Sequence, residues 1–262
     1  MLEITDLTHS YGPPGTGHLA IDRITLTVAD GELVSIVGPS GCGKSTLLRC
    51  VAGLLSPAGG RVVLGGVPVD RVPDGLALVF QDYSRSLLPW LSVRDNVALP
   101  LRRKQPSRQP RKQQSRAARR EAAIAALATV GLTDTAQKYP WQLSGGMQQR
   151  VAIARALASE PVLLLMDEPF GSVDAQTRED LEDLILAVRR ARDITILLVT
   201  HDVDESVYVG DRVVVLTRGP GQIRADLPVD LPSPRDQITT RELAAFVHLR
   251  TEVSRMVRAS SL

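Results

Sequence analysis

Aromatic residues, cysteines and histidines are scarce in this sequence of 262 residues. Aromatic residues make up 3% of the chain, and there are two cysteines, Cys42 and Cys50, and 4 scattered histidines. Cysteines with this spacing in a helix lie too far apart along its axis for a disulfide, and free cysteines are typical of a reducing compartment. The sequence therefore lacks a disulfide framework, and its cysteines and histidines do not have the spacing of a metal site.

Long apolar runs are also missing. The longest runs, residues 161–166 and 194–199, have the length of buried strands, whereas a membrane-spanning helix needs about 20 apolar residues. Residues 1–4 lack the basic and then apolar layout of a signal peptide. We therefore expect a protein that stays in the cytosol, and its 44% of hydrophobic residues are enough for a sizeable core.

Basic residues are concentrated in one short part of the chain. Residues 101–120 contain nine basic and no acidic side chains, whereas the rest of the chain contains 22 basic and 29 acidic ones. Such a strip can bind nucleic acid or anionic lipid. Because Pro106, Pro110 and several glutamines interrupt it, the pattern favours a solvated connection that leads into a helix at about 115–130.

The hydrophobic pattern predicts an α/β fold with a mostly parallel sheet and flanking helices. Segments 2–8 and 19–28 alternate apolar and polar residues, which is typical of antiparallel strands with one solvated face. Continuous apolar strands then alternate with helices, as in a parallel sheet covered on both faces. The predicted strands are residues 33–37, 76–80, 162–167, 194–200 and 212–217, and the predicted helices are 44–54, 93–101, 115–130, 145–158, 176–192, 203–209 and 241–257.

The order of these elements divides the chain into two predicted parts. Residues 1–225 form the main domain, with an N-terminal antiparallel β-subdomain and an α-helical subdomain inserted at about 84–157. Residues 226–262 form a C-terminal segment that contains prolines and ends in an amphipathic helix. No internal repeat is visible, so we expect one set of functional motifs per chain.

A glycine-rich loop follows the first buried strand and precedes a helix. Its residues match the phosphate-loop pattern G-x-x-x-x-G-K-S: Gly38, Pro39, Ser40, Gly41, Cys42, Gly43, Lys44 and Ser45, followed by Thr46, which we also expect to contact the nucleotide. Glycines let consecutive backbone N–H groups surround an anion, and the positive dipole end of the helix points at the same phosphates. We expect Lys44 to neutralise the β- and γ-phosphates and Ser45 to bind Mg²⁺.

Two carboxylates, Asp167 and Glu168, follow an apolar strand. An apolar strand cannot bury two unpartnered carboxylates, and at its C-terminal end they emerge where α/β sheets bind ligands. We expect Asp167 to hold the hydration shell of Mg²⁺ and Glu168 to act as the base, or to orient a water, at the γ-phosphate. The alternative is that both carboxylates cap the turn before Pro169.

A third motif lies between these two. Ser144 is placed as the N-cap of a predicted helix, and Gly145 and Gly146 leave the first N–H groups of that helix uncovered. The motif predicts a second anion site on a different part of the chain. The alternative is an ordinary capped helix, with Met147 and Val151 packed inward.

With these motifs together, residues 2 to about 225 resemble the ATP-binding cassette (ABC) ATPases, the nucleotide-binding subunits of membrane transporters. The resemblance implies that Tyr11 stacks on adenine and that Gln81 binds Mg²⁺, takes part in catalysis and senses the membrane domain. It also implies that His201 contacts the γ-phosphate and that Asp174 belongs to the nucleotide site. The alternative for Tyr11 and His201 is a place in the core.

The resemblance also implies a second copy of the chain. In the head-to-tail dimer of this family, each ATP lies between Lys44 of one subunit and Ser144 of the other. The sequence departs from the family at Met147, where many members have glutamine, and this change leaves the phosphate contacts of residues 144–146 intact.

The segment after Gln81, residues 86–100, narrows the resemblance to importer ATPases for nitrate, sulfonates, taurine and similar small anions. Its apolar residues 87–90 are suited to receive a coupling helix of a membrane subunit, whereas the alternative is that Trp90 packs inside the helical subdomain. The resemblance implies a separate integral-membrane permease, a separate solute-binding protein and a location on the inner face of the cell membrane. The transported molecule is left open.

Two other classes of protein share some of these motifs. A nucleic-acid-handling ABC-type ATPase is supported only by the basic strip of residues 102–120, and the long insertions or second cassette of such proteins are missing. In a nucleotide-switch GTPase or kinase, the Ser-Gly-Gly motif of residues 144–146 would have no function, and no guanine-reading motif is apparent. We therefore expect no nucleic-acid partner.

Overall fold

The computed structural model describes residues 1–13, 17–82, 86–102, 115–171 and 173–260. Six strands form its central sheet: β3 (Leu33–Val37), β6 (Leu76–Val79), β7 (Leu163–Asp167), β8 (Thr195–Val199), β9 (Arg212–Leu216) and β10 (Ile223–Pro228). Their order in the sheet is β10-β9-β3-β8-β7-β6, and every neighbouring pair is parallel except β9 with β10. The prediction of a mostly parallel sheet is confirmed.

A second, antiparallel sheet lies at the N-terminal part of the chain. Its strands are β1 (Leu2–Tyr11), β2 (His18–Val28), β4 (Gly59–Leu64) and β5 (Val67–Pro68), in the order β2-β1-β4-β5. Helix α1 (Lys44–Val51) packs against both sheets, because its buried Leu47 belongs to the same apolar cluster as Ile4 of β1 and Leu165 of β7. The N-terminal β-subdomain is therefore joined to the central sheet through the helix that follows the glycine-rich loop.

The remaining helices cover the other face of the central sheet or extend from it. They are α2 (Val93–Val97), α3 (Arg116–Thr129), α4 (Gly145–Ala158), α5 (Ala175–Arg192), α6 (Val203–Val209), α7 (Thr239–Glu242) and α8 (Ala244–Ala259). Helices α2, α3 and α4 pack against one another, and α8 packs on α6 and β9 through the buried Phe246 and Val253. Within the ranges that the structure describes, none of the helices combines the length and apolar character of a membrane span.

Three predicted helices differ from the observed ones by more than one residue at an end. Helix α1 ends three residues early because the chain turns through Gly53, whose φ of 67° is left-handed. The helix predicted at 93–101 ends at Val97, before Pro100, which has no N–H for a helical hydrogen bond. The single helix predicted at 241–257 is divided into α7 and α8, because Leu243 between them is extended.

The strands β4, β5 and β10 were not predicted. Strand β10 has no fully buried residue and crosses the predicted boundary at residue 225, while it pairs with β9 in the main sheet. The division at 225/226 and the limits 84–157 of the helical subdomain stay predictions. Of the segments that the sequence singled out, most of the basic strip (residues 103–114), residues 83–85 of the Gln81–Trp90 region and Ser172 lie outside the described residues.

Candidate functional site

The glycine-rich loop connects β3 to α1 and is shaped by two left-handed glycines. Gly41 and Gly43 have φ angles of 78° and 92°. A Cβ on Gly43 would lie 2.5 Å from the Ile21 side chain and 2.7 Å from the Ala20 carbonyl oxygen, so this position has no space for a side chain. Gly41 is exposed, and a Cβ there would meet no described atom within 4 Å. The loop is thus fixed on one side and open on the other.

The ammonium group of Lys44 is buried against this loop. Its Nζ donates to the carbonyl oxygens of Gly38 at 2.7 Å and Pro39 at 3.1 Å, and the residue is 6% exposed. In the described part of the chain, no carboxylate lies within 4.0 Å of this ammonium. A buried cation that has only neutral partners is stabilised by an anionic ligand, and a phosphate group at the loop fits this requirement. Burial also raises the pKa of the Cys42 thiol, which therefore stays protonated at neutral pH.

Ser45 and Asp167 place two oxygen ligands side by side. The Ser45 hydroxyl donates to Oδ1 of Asp167 at 3.0 Å, and Asp167 ends β7 at the C-terminal edge of the sheet. Burial raises the pKa of this carboxyl, the charge of Glu168 raises it further, and the Ser45 hydrogen bond opposes both effects. Among the described residues, no three carboxylate, histidine or cysteine side chains are arranged so that they could hold a metal ion together. The pair fits Mg²⁺, which commonly takes one or two protein oxygens and completes its shell with phosphate and water.

The side chains of Gln81, Glu168 and His201 meet at the ends of three adjacent strands. Gln81 follows β6 and donates from Nε2 to Oε2 of Glu168 at 2.7 Å, and Nδ1 of His201, after β8, lies 3.2 Å from the same oxygen. Glu168 has a φ of 46°, which is left-handed and turns the chain at the end of β7. The His201 side chain is 58% exposed, so it is not a core histidine. Parallel strands bring these three groups together at the edge where α/β sheets bind ligands.

Tyr11 lies beside the start of α1. Its hydroxyl is 3.1 Å from the hydroxyl of Thr46, and its ring meets His9 edge-on at 4.8 Å between centroids. Tyr11 is 41% exposed, so the alternative that it is a core residue is wrong. An exposed aromatic ring next to a phosphate loop is suited to stack on a nucleotide base.

Ser144 caps helix α4 as the sequence predicts, with its hydroxyl accepting from the N–H of Met147 at 3.3 Å. Ser144 and Gly145 are exposed, whereas a Cβ on Gly146 would lie 2.3 Å from the Thr177 side chain of α5. Asp174 caps α5, and hydrogen bonds from Thr177 lower the pKa of its carboxyl. In the described chain, no hydrogen bond joins residues 144–146 to the loop 38–45. The two predicted anion sites are therefore not connected by hydrogen bonds within the described chain.

A family model described as "ABC transporter" matches residues 21–171. A putative ATP-binding protein of Brucella abortus (strain 2308) is 48% identical over 237 residues, which are 90% of this chain and 87% of that protein. The chain belongs to the ABC transporter family. It is an ATP-hydrolysing transporter subunit, and it binds ATP.

Other relatives of this ABC ATPase carry more specific names. The nitrate import ATP-binding protein NrtD of Synechococcus elongatus is 41% identical, over 93% of this chain and 86% of that protein. The bicarbonate transport ATP-binding protein CmpC of the same species is 44% identical, over 91% of this chain and 35% of that protein.

Solved structures of cassettes have the same fold. A dimeric ATP-binding cassette in a post-hydrolysis state, bound to ADP and Pi, has a TM-score of 0.75 and 32% identity, over 87% of this chain and 99% of that chain. CbiO1 of Clostridium perfringens, described as part of an ABC transporter complex, has a TM-score of 0.77 and 25% identity, over 100% of this chain and 98% of that chain. The predicted ABC-type α/β fold is confirmed.

Two aromatic side chains, Phe80 before Gln81 and Trp90 after it, lie at the surface of the ABC ATPase. Trp90 is 70% exposed and Phe80 is 45% exposed, so the alternative that Trp90 packs inside the helical subdomain is wrong. The buried Asn96 of α2 fixes the loop that carries Trp90, because its side chain bonds the backbone of Leu88 in both directions and the carbonyl oxygens of two further residues. The sequence analysis did not identify Asn96. A polar residue on the apolar face of a short predicted helix is the pattern that could have indicated it.

Proposed function

We propose that the protein is the ATPase of an importer for a small anion and that it works as a head-to-tail homodimer that closes on two MgATP. The observation that carries this proposal is that Ser144 and Gly145 are exposed at the start of α4 and, in the described chain, share no hydrogen bond with the glycine-rich loop. A second copy of the chain supplies the missing half of each site. The dimeric form of a similar cassette bound to ADP and Pi supports this arrangement.

In the proposed site, Lys44, Gly38–Ser45 and Thr46 hold the phosphates, and Tyr11 stacks on adenine. Ser45, Asp167 and Gln81 would hold Mg²⁺, which neutralises charge on the β- and γ-phosphates when bound. Glu168 accepts a proton from the attacking water or orients it, since its carboxylate is already held by Gln81 and His201. His201 and Lys44 stabilise charge on the γ-phosphate, and Asp174 caps α5 by bonding Thr177, whose side chain lies beside Gly146.

The Gln81–Trp90 region is the proposed contact with a separate permease. Exposed aromatic residues are typical anchors of protein interfaces, and Phe80 and Trp90 flank Gln81, which bonds Glu168. Binding of ATP closes the dimer, hydrolysis reopens it, and this motion reaches the permease through the Gln81 side of the site. The permease and a solute-binding protein would place this ATPase on the inner face of the membrane.

The solute is proposed as a small anion of the nitrate, sulfonate or taurine type. Relatives named for nitrate import and for bicarbonate transport are both more than 40% identical, which supports the anion class without choosing a member. No observation favours the alternative of a nucleic-acid-handling ATPase, whose support was the basic strip.

The variant Glu168→Gln tests the proposed site. We expect it to bind ATP with an affinity close to that of the wild type, to accumulate as a dimer with ATP on gel filtration, and to hydrolyse ATP at least about 100-fold more slowly because the general base is lost. Glu121→Gln, on the exposed face of α3, is the control and should behave as the wild type. An unchanged hydrolysis rate in Glu168→Gln would contradict the role given to Glu168.

A further inference from the structure

Three parts of the chain meet at a group of charged side chains that contacts the residues next to His201 in the sequence. Helix α5, the start of α6 and the C-terminal segment surround a small cavity of about 120 Å³, lined by acidic side chains and by Arg178 and Arg241. We call Glu182, Asp202 and Glu205 the carboxylate cluster. Glu182 is fully buried and Glu205 is 4% exposed. The catalytic roles proposed above use none of these residues.

The cluster holds the backbone on both sides of His201. The Thr200 hydroxyl donates to Oε2 of Glu205 at 2.5 Å and accepts from the Asp202 N–H at 2.9 Å. The Asp202 carboxylate in turn caps α6 by accepting from the N–H groups of residues 204 and 205. The residues before and after His201 are therefore fixed by hydrogen bonds to the cluster.

Arg178 connects this segment to α5. Its Nη1 donates to Oδ2 of Asp202 at 3.3 Å, and its Nε forms an ion pair with Oε1 of Glu205 at 3.6 Å, without a hydrogen bond. The backbone N–H of Arg178 bonds the carbonyl oxygen of Asp174, the residue that caps α5. One arginine therefore joins the first turn of α5 to the segment that carries His201.

The C-terminal segment binds the same cluster from the other side. Arg241 donates from Nη2 to Oε2 of Glu182 at 2.8 Å and from Nε to Oε1 of Gln237 at 3.1 Å, and its guanidinium lies 4.8 Å from the centre of the Tyr208 ring. Gln237 donates to Glu182, to Asp183 and to the carbonyl oxygen of Glu179. Oε1 of Glu182 has no hydrogen-bond partner among the described residues, so Arg241 is its principal compensation.

Carboxylates outnumber arginines around the cavity. Glu179 and Asp204 line it beside the carboxylate cluster, against Arg178 and Arg241. Burial raises the pKa of both Glu182 and Glu205 to about 7. Removing one partner of a buried ion pair leaves an uncompensated charge, and the surrounding side chains then rearrange to solvate it. A change at Arg178 therefore reaches Asp202 and Glu205 directly, and a change at Arg241 reaches Glu205 through the charge of Glu182, which contributes to the raised pKa of Glu205.

We propose that Arg178 and Arg241 are positioning residues for His201, and that the C-terminal segment sets the rate of ATP hydrolysis through this cluster. The proposal rests on the catalytic role proposed for His201. Arg178 acts directly, through Asp202 and Glu205, and Arg241 acts through Glu182 and Gln237. Neither arginine contacts the glycine-rich loop in the described structure, so ATP binding is not part of their role.

Arg178→Met and Arg241→Met are the test variants, because methionine keeps the apolar stem and removes the charge. We expect each to lower kcat by about tenfold, the effect of a displaced catalytic group, with KM for ATP changed less than about twofold. Arg178→Lys should recover part of the rate, since lysine can pair with one carboxylate but cannot bridge two. Arg250→Met is the matched control, because Arg250 forms an exposed pair with Asp204 at 3.6 Å on the same side of the protein.

A double-mutant cycle separates positioning from general destabilisation. In a His201→Ala background, Arg178→Met should lower kcat no further, because the side chain that it positions is already gone. The inference would be overturned if the two substitutions lowered kcat additively. It would also be overturned if Arg178→Met raised KM for ATP and left kcat unchanged. If His201→Ala itself leaves hydrolysis unchanged, the proposed role of His201 fails. If His201→Ala is slow and both arginine variants keep the wild-type rate, the inference alone fails.

Discussion

This protein contains two kinds of buried charge, which differ in their partners. Lys44 is buried with carbonyl oxygens as its partners, so its charge is left for a ligand. Glu182 is buried with Arg241 and Gln237 as partners, so its charge is used within the protein. The difference between a binding residue and a structural one therefore lies in the neighbours that the fold provides, since both side chains are almost fully buried.

At the scale of single residues, the buried Glu182 carboxyl leads to a prediction about how stability depends on pH. Burial raises the pKa of Glu182 to about 7 in the folded state, from an ordinary value of 4.5. Between these values the folded protein binds the proton more tightly than the unfolded chain does, so the free energy of unfolding falls as pH rises through this window. We expect this decrease in the free energy of unfolding to be smaller by roughly 3 kcal/mol in Glu182→Gln than in the wild type.

Urea unfolding at pH 5 and pH 8 measures this effect. Relative to the wild type, Glu182→Gln should gain stability at pH 8 and gain little at pH 5, where the carboxyl is protonated in the folded state. A slope with pH remains in the variant, because burial also raises the pKa of Glu205 to about 7. Glu121→Gln, exposed on α3, should keep the wild-type slope. Equal slopes in Glu182→Gln and the wild type would contradict the prediction.

At the scale of elements, α4 joins two parts of the proposed function. It begins at the exposed Ser144, and farther along Arg155 donates to the backbone carbonyl and the hydroxyl of Ser86, in the Gln81–Trp90 region. Arg155 is largely buried, and burial lowers the pKa of its guanidinium. The helix that begins at the proposed second anion site therefore also supports the proposed permease contact.

Arg155→Met tests this connection. We expect faster amide hydrogen exchange in residues 86–92, because the guanidinium no longer holds Ser86, while basal ATP hydrolysis stays within about twofold of the wild type. The control is Arg192→Met, whose arginine also donates to an α4 carbonyl, that of Leu157, at 3.4 Å. If exchange in residues 86–92 is the same in both variants and the wild type, Arg155 does not support this region.

Elements that are marked in the sequence by a helix cap or a regular apolar pattern could be predicted, and elements without such marks could not. Helix α4 has its predicted bounds, because Ser144 is a strong N-cap and the apolar pattern is regular. The strands β4 and β10 bury one residue and none, respectively. Neither has the continuous apolar sequence of the parallel strands, since β4 has only the three apolar residues 62–64 in succession and β10 alternates. Their positions are set by pairing with β1 and β9, which local sequence does not encode.

At the scale of the whole molecule, the strand order assembles the site. The motifs around Lys44, Asp167 and His201 were visible separately in the sequence. The shared contact of Gln81 and His201 with one oxygen of Glu168 depends on the order β6-β7-β8, which no single motif predicts. Ser144 lies at the start of α4, which packs with α2 and α3, and the proposed function needs a second chain to bring it to this site.

The variant Ser144→Arg tests that need for a second chain. We expect ATP to bind with nearly wild-type affinity through the Lys44 and Tyr11 half of the site, and we expect hydrolysis and the ATP-dependent dimer of the Glu168→Gln background to be lost. Arginine also removes the N-cap of α4, which costs about 1 kcal/mol. The matched control is Ser115→Arg, because Ser115 caps α3 with the same geometry and a 3.1 Å bond to the Ala118 N–H. If both variants lose hydrolysis equally, helix capping explains the result, and if Ser144→Arg still forms the dimer with ATP, the exposed start of α4 is not the second half of the site.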